Sequence, residues 1–349
     1  MFSYANNGMV MFEGVVEDRN DPLKLGRVRV RIFGFHTQDK SSIKTEGLHW
    51  ASVLMPVTSA STTGVGETPA LVEGSHVVGY FRDGSYAQDP VVIGSILGIP
   101  IDANKSGTGF FDPRTSVPAS LGGKPFPRWI DEPDTPRLAR NEKADQETIL
   151  SKKNSTKITG IATPTGTYDQ VASPYNAKYP YNKVLVTESG HTVEYDDSPG
   201  AERVHIAHRS GTFIEMHPDG TIVIRSTKDT FDLTSGNKNE YVKGTHNLTI
   251  DAQGNIYCKG DYTFKTDNNM KFVVAGNVEW EIGGYFKETI TGDSTTTSKN
   301  ISMTANTNMS MTGSSKTTIK GGGTTETLNS NYTVSTGTFS VTASSTSFS

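Results

Sequence analysis

Apolar and polar residues alternate in five short runs over the first hundred positions: Val10–Glu17, Arg27–Phe35, Trp50–Val57, Val77–Arg82 and Val91–Leu97. A period of two sends alternate side chains to opposite faces, so each run predicts a strand with one face turned to a core. Turn signals separate the runs, namely Asn20-Asp21-Pro22, Asp83-Gly84 and Asp89-Pro90. None of the intervals has the periodicity of an amphipathic helix. Five short strands without a helix predict a small barrel over residues 1–100, for which the OB-fold is the commonest five-stranded form.

The pattern then breaks. Residues 101–182 are rich in Pro, Gly, Asn and charge, as in Gly122-Gly123-Lys124-Pro125-Phe126-Pro127 and Asp131-Glu132-Pro133-Asp134-Thr135-Pro136. They predict an extended linker lying over neighbouring surfaces. One short helix is expected within it, over Arg137–Leu150, where Glu and Lys alternate with Ala and Leu. Strand character returns over 183–230, the expected lead-in to a β-prism, and no proline follows Pro218.

From about residue 231 to 349 the dominant feature is a repeat with a period of eight. Val242, Ile250, Cys258, Thr266, Val274, Ile282 and Ile290 share one position of the octad. Gly244, Ala252, Gly260, Asn268, Gly276, Gly284 and Gly292 stand two residues later, and Leu248, Ile256, Phe264, Phe272 and Trp280 two residues earlier. The two apolar positions lie on one face of a strand. The Gly or Asn after them is expected to turn a corner through a conformation that other residues avoid. One octad buries almost nothing alone, so stacked copies must share a core. A unit with one face and one corner cannot enclose a cylinder, whereas three chains each supplying one face would close a triangular prism and remove its sheet edges. The phase slips after Gly292, with Ile301 and Met309, and Met303, Met311 and Ile319, again spaced by eight.

Composition suggests an elongated or repetitive fold. Hydrophobic residues are 34% of the 349, and Gly, Thr, Ser and Asn make up the difference. A net charge of −4 argues against a phosphate backbone as main partner, so no nucleic acid is expected as primary ligand. The single cysteine, Cys258, rules out an intrachain disulfide framework and fits synthesis in a reducing compartment. Met1–Gly8 has no charged and apolar signal pattern, and no apolar run reaches the length of a membrane span.

The string Gly14-Val15-Val16-Glu17-Asp18-Arg19-Asn20-Asp21-Pro22-Leu23-Lys24-Leu25-Gly26-Arg27-Val28-Arg29-Val30-Arg31 resembles the start of the central spike protein of contractile-tailed phage baseplates. Pro56-Val57-Thr58-Ser59-Ala60, Glu73-Gly74 and Val91-Val92-Ile93-Gly94 fit the same OB-fold domain. A second resemblance covers Glu194–Val204 and His208–Glu215, similar to the start of the β-helix in these spikes and in the VgrG spikes of type VI secretion. The octads match the family's needle repeat. In the best-known relatives a lysozyme domain separates barrel and needle. Here that interval is about eighty residues and too rich in Pro and Gly for a catalytic lobe. Asp131, Glu132, Asp134, Glu142, Asp145 and Glu147 lie in it without an evident cleft, whereas glycosidic acid catalysis needs a desolvated carboxyl beside a sugar site. No muramidase activity is expected.

Other chemistry reads as structure. His205 and His208 are spaced as HxxH, but on a strand they face opposite ways, so no metal is expected from one chain. The iron-binding His-x-His tip of some relatives is not carried over, because no histidine comes after His246. Cys258 takes an inward octad position and is expected as a small buried hydrophobe. Lys24, Arg27, Arg29 and Arg31 alternate with Leu25, Val28, Val30 and Ile32, as a half-buried strand requires, and suggest an adaptor surface. Gly64-Val65-Gly66 lacks the rest of a phosphate loop.

The resulting expectation is a homotrimer with an OB-fold collar, an extended linker and an intertwined triple-stranded β-helix. Leu248, Ile250, Ile256, Cys258, Phe264, Phe272, Val274, Trp280, Ile282 and Ile290 would form its core, and Gly244, Gly260, Gly276, Gly284 and Gly292 its corners. No cofactor, metal or catalytic residue is assigned. The resemblance implies a virion baseplate location after assembly in the host cytoplasm, docking on a trimeric hub, and mechanical penetration of the host envelope. A PAAR-type tip protein is expected on Phe339, Val341 and Phe348, which would otherwise be exposed at the last layer. The competing reading is a trimeric receptor-binding fibre or adhesin, against which the hub-docking collar argues.

Overall fold

The computed structural model describes residues 9–102, 108–110, 130–141 and 157–318. Its first element is a closed barrel of β1 (Val10–Asp18), β2 (Val28–Ile32), β3 (Trp50–Val53), β4 (His76–Phe81) and β5 (Pro90–Ser95). The strands run in the order β1-β2-β3-β5-β4 and close on β1. Every pairing is antiparallel except β3 with β5, where Ser52 lies opposite Val91. These strands begin and end within a few residues of the predicted runs. Phe12, Val16, Val28, Val30, Ile32, Ala51, Val77, Phe81 and Val92 fill the interior.

Charge enters the barrel wall at one point. The register of β1 against β2 shifts between Val16 and Asp18, and this bulge leaves consecutive residues Val16, Glu17 and Asp18 all buried. Glu17 receives Arg31 Nε at 2.7 Å and the Thr45 hydroxyl at 2.6 Å, with Lys40 Nζ 2.7 Å away. Burial alone would raise this carboxyl, but the hydrogen bonds from Arg31, Lys40 and Thr45 outweigh it and hold its pKa below the ordinary value. Arg31 also donates to the carbonyls of Thr37 and Ile43, so the long β2–β3 loop is fastened to the wall.

Beyond the barrel, β6 (Ile161–Thr163) and β7 (Gly166–Tyr168) form a small hairpin. Then β8 (Asn182–Val186), β9 (Thr192–Asp196), β10 (Arg203–Ala207), β11 (Phe213–Met216) and β12 (Ile222–Arg225) make a five-stranded antiparallel meander, each strand beside its sequence neighbour. The helix expected over Arg137–Leu150 falls mostly outside the described residues. Its described start is a turn, in which the Ala139 amide donates to the Pro136 carbonyl at 2.9 Å.

From 226 to 318 the described chain makes no strand pairing with itself. It bends every eight residues, at Lys243-Gly244, Asp251-Ala252, Lys259-Gly260, Asp267-Asn268, Ala275-Gly276, Gly283-Gly284 and Thr291-Gly292. After Lys299 the bends move one residue earlier, to Asn306-Thr307 and Ser314-Ser315. The glycines at these bends do not have the left-handed φ anticipated for a corner, and nothing lies within 4 Å of a Cβ placed on Gly244, Gly260, Gly276, Gly284 or Gly292. Within one chain, then, neither backbone conformation nor crowding accounts for glycine there.

Crowding does account for glycines of the barrel strands, Gly14 and Gly79. A Cβ on Gly79 would sit 2.2 Å from the Val91 carbonyl oxygen and 2.5 Å from the Phe12 ring, where β4 crosses β1 and β5. Backbone cannot withdraw as a flexible side chain can. Gly79→Ala should therefore lower stability by about 1–3 kcal/mol through overpacking, seen as a reduced denaturant midpoint for the barrel; an unchanged midpoint would show that the strands separate freely.

Candidate association interface

The register of the meander sorts its side chains into two unlike faces. On one face Asp196 lies opposite Arg203, Glu194 opposite His205, and His205 opposite Glu215. Charged side chains therefore line it, and all five are buried. On the other face Leu185, Val193, Ile206, Ile214 and Ile224 run across all five strands, beside Tyr195, Val204, Met216 and Ile222. This apolar face is open: Leu185 is 60%, Ile206 52% and Ile224 73% exposed. A soluble sheet usually has the reverse arrangement, with its apolar face inward.

The buried charges are matched pair by pair. Arg203 donates through Nη2 to Glu194 Oε2 at 2.5 Å and through Nη1 to Glu215 Oε2 at 3.1 Å, with Asp196 Oδ2 3.8 Å from its Nε. His205 Nδ1 lies 2.6 Å from Glu194 Oε1, and His217 Nε2 lies 3.1 Å from Glu215 Oε1. The segment preceding the sheet and the first residue of β8 close over this face. Ser173 donates to Glu215 at 3.0 Å, Asn182 to Glu194 at 2.9 Å, and the Arg203 guanidinium stands 4.6 Å from the centre of the Tyr175 ring. Burial by itself would push the Glu194 carboxyl up. The hydrogen bond from His205, the charges of Arg203 and His205 and the Asn182 amide outweigh that and bring it to about 2.

The octads are open and apolar as well. Leu248, Ile250, Ile256, Phe264, Phe272, Val274, Trp280, Ile282 and Ile290 are all exposed in the single chain, from 44% at Ile282 to 82% at Ile256. Cys258, expected as buried, is also exposed here, because one chain places nothing over its octad position. Each of Gly244, Gly260, Gly276, Gly284 and Gly292 is the second residue of a bend. Phe339, Val341 and Phe348 lie outside the described residues. Monomeric proteins rarely display so much apolar surface, and a partner surface is the usual reason.

Among the described residues no group of three or more metal-ligating side chains comes together. His205 is buried in the network, whereas His208 lies just past the end of β10 and is exposed. In the basic run, Arg27 pairs with Asp21 at 2.7 Å, Arg29 lies 3.6 Å from Asp18 and 4.5 Å from the Trp50 ring centre, and Arg31 serves Glu17. Asp21 also accepts the amides of Leu23, Leu25 and Arg27, so Leu23 and Leu25 are held out on a fixed loop. A second set of exposed apolar side chains, Met9, Met11, Phe33 and Phe35, stands around the start of β1 and just past the end of β2. The sequence reading missed both this set and the two-faced meander. The signal was present for the second, since Glu194-Tyr195-Asp196 and Arg203-Val204-His205-Ile206 alternate charge with apolar residues.

Comparison with known proteins places these features. Residues 34–183 match the family described as the Gp5 N-terminal OB domain. The chain is similar to Protein Gp5 of Vibrio phage KVP40, with 38% identity over 289 residues, 74% of this chain and 67% of the relative. It is also similar to the pre-baseplate central spike protein Gp5 of Enterobacteria phage T4, with 42% identity over 123 residues, 34% of this chain and 21% of that protein.

Because the pKa of Glu194 is lower folded than its ordinary 4.5, its stabilising contribution is complete above that value and is lost as pH falls toward about 2. Glu194→Gln should thus melt lower than the parent at neutral pH, with the gap narrowing steadily as the pH is taken from 5 to about 2. Thermal melts across that range check it, and a gap independent of pH would mean that Glu194 is not held ionised by its neighbours.

Proposed function

This chain belongs to the Gp5 family, and we propose that it is the central spike of a virion baseplate, a homotrimer that punctures the target envelope mechanically. The observation that carries this reading is the unpaired apolar surface of the meander and again of the octads, in a chain that opens with the spike family's OB barrel. Two further copies of the chain satisfy it. Three meanders with apolar faces inward form a prism, and three octad segments wound together bury Leu248, Ile256, Phe264, Phe272 and Trp280 around the axis. The unpaired backbone of 226–318 then finds its hydrogen bonds between chains. The bend glycines, uncrowded in one chain, would be required where neighbouring backbones approach.

Stiffness is the functional property of such a rod. Each layer is bonded to other chains, so unfolding one chain strips partners from two, and the barrier to unfolding is high. The exposed Met9, Met11, Phe33 and Phe35 give the collar an apolar surface for the trimeric hub. No enzymatic step is assigned. Of the linker carboxylates in the described residues, Glu132 is engaged by Arg137 and Arg140, and Asp134 accepts the Gly98 amide, so neither is poised as an acid beside a cleft. The Phe339–Ser349 segment is proposed to receive a PAAR-type tip protein.

The purified chain should run at three times its monomer mass in detergent until boiled, and Ile206→Asp should shift that species toward monomer. A monomer before boiling would sink the trimeric spike.

Removing Phe339–Ser349 should abolish co-purification of the tip protein while leaving the trimer's mass unchanged. Undiminished co-purification would remove the tip assignment alone.

A further inference from the structure

Residues 130–141, within the stretch expected as an extended linker lying over neighbouring surfaces, form a compact knot with its own internal bonds. Glu132 accepts Arg140 Nη2 at 3.0 Å and lies 3.3 Å from Arg137 Nε. Arg140 Nε donates to the Thr135 carbonyl at 3.0 Å, and Leu138 and Ala139 are buried. Such a knot holds its shape without a helix or a strand.

Its two sides are fastened to different bodies. On one side, the chain leaving the barrel is clipped reciprocally. The Gly98 amide donates to Asp134 Oδ2 at 2.8 Å, the Asp134 amide to the Gly98 carbonyl at 2.8 Å, and the Asp131 amide to the Pro100 carbonyl at 2.8 Å. On the other side, the Leu138 carbonyl accepts the Tyr175 hydroxyl at 2.8 Å and the Asn182 amide at 3.3 Å. Both of those donors also touch the buried charges of the meander, Asn182 at Glu194 and Tyr175 at Arg203. A separate tie runs in parallel, because Arg19 just after β1 meets Glu73 at 3.3 Å and reaches Glu188 in the β8–β9 turn at 2.7 Å.

We propose that the knot over residues 130–141 is a brace that joins the barrel and the meander into one body. A chain segment of some eighty residues would ordinarily act as a hinge between the domains it links. Here the segment is pinned at both ends, so displacement of the barrel is passed to the sheet through short hydrogen bonds rather than through slack chain. Asp134 and Tyr175 act as positioning residues for this coupling, one for each side. The mechanical meaning of the brace, thrust carried from collar to needle without buckling, rests on the spike reading. The coupling itself does not.

The test uses the full chain with Cys258→Ser and a fluorophore on Glu46→Cys, an exposed position of the barrel. In the parent, the label should report only slow tumbling with the whole assembly, and trypsin should leave the bonds after Arg137 and Arg140 intact. In Asp134→Ala with Tyr175→Phe, cleavage there should rise by roughly tenfold or more, and a fast anisotropy component from a free barrel should appear. Asp134→Ala alone, should the double variant not fold, is expected to show the same changes more weakly. Asp134→Asn, which keeps an oxygen acceptor for the Gly98 amide, should behave as the parent. A fast component in the parent, or variants that remain slow and uncleaved, would overturn the brace. Oligomeric mass is read on the same samples, so a monomer with a coupled barrel would count against the spike reading and not against the brace.

Discussion

Arg203 sits inside this protein with almost no contact with water, and a guanidinium can stay there only if carboxylates meet it. Glu194, Glu215 and Asp196 converge on it from β9 and β11, and His205 and His217 answer the remaining carboxylate oxygens. That requirement sets the orientation of the whole meander. Because side chains alternate along a strand, committing the charged set to the covered face sends Leu185, Ile206, Ile214 and Ile224 to the other. The network's value lies in this choice of face more than in stability, since buried ion pairs roughly repay their own desolvation.

That choice of face leaves the core incomplete. The barrel completes its own core within one chain, around Val16, Val30, Ile32 and Val92. The meander and the octads do not. Fully burying each exposed Leu, Ile or Phe contributes about 1.5–3 kcal/mol, so the run of such positions in the octads alone is a strong drive to associate. In the proposed trimer the same residues that make the isolated chain unsatisfied make the rod hard to take apart. Stability and assembly are then one event, as in obligate oligomers.

Between the self-sufficient barrel and the dependent repeats lies the stretch that composition marks as linker. Two of its described carboxylates, Asp134 and Glu132, are engaged in hydrogen bonds and ion pairs. Asp134 clips the chain leaving the barrel, and Glu132 gathers two arginines. Tyr175 and Asn182 connect that knot to the Arg203 network. The buried charges thus reach in both directions, setting which face of the sheet stays open and anchoring the segment that leads back to the barrel.

Local pattern was sufficient for much of this. Strict alternation marked the five barrel strands, and spacing alone located the bends of the octads, because a period of two or eight is written in consecutive residues. Charge alternating with Ile and Val in β9 and β10 also held the two-faced sheet, although only the strand register shows that Glu194, Arg203, His205 and Glu215 converge. The burial of Glu17 was not legible, because a bulge shifts one residue against its partner strand and reverses the expected face. Nor was the knot at 130–141, whose bonds join Asp134 to Gly98 and Leu138 to Tyr175 and Asn182 across 36 to 44 positions. Sequence determined the elements and their periods, since those depend on near neighbours. Tertiary structure decided which charges meet and which surfaces stay open, since those depend on groups that only folding brings together.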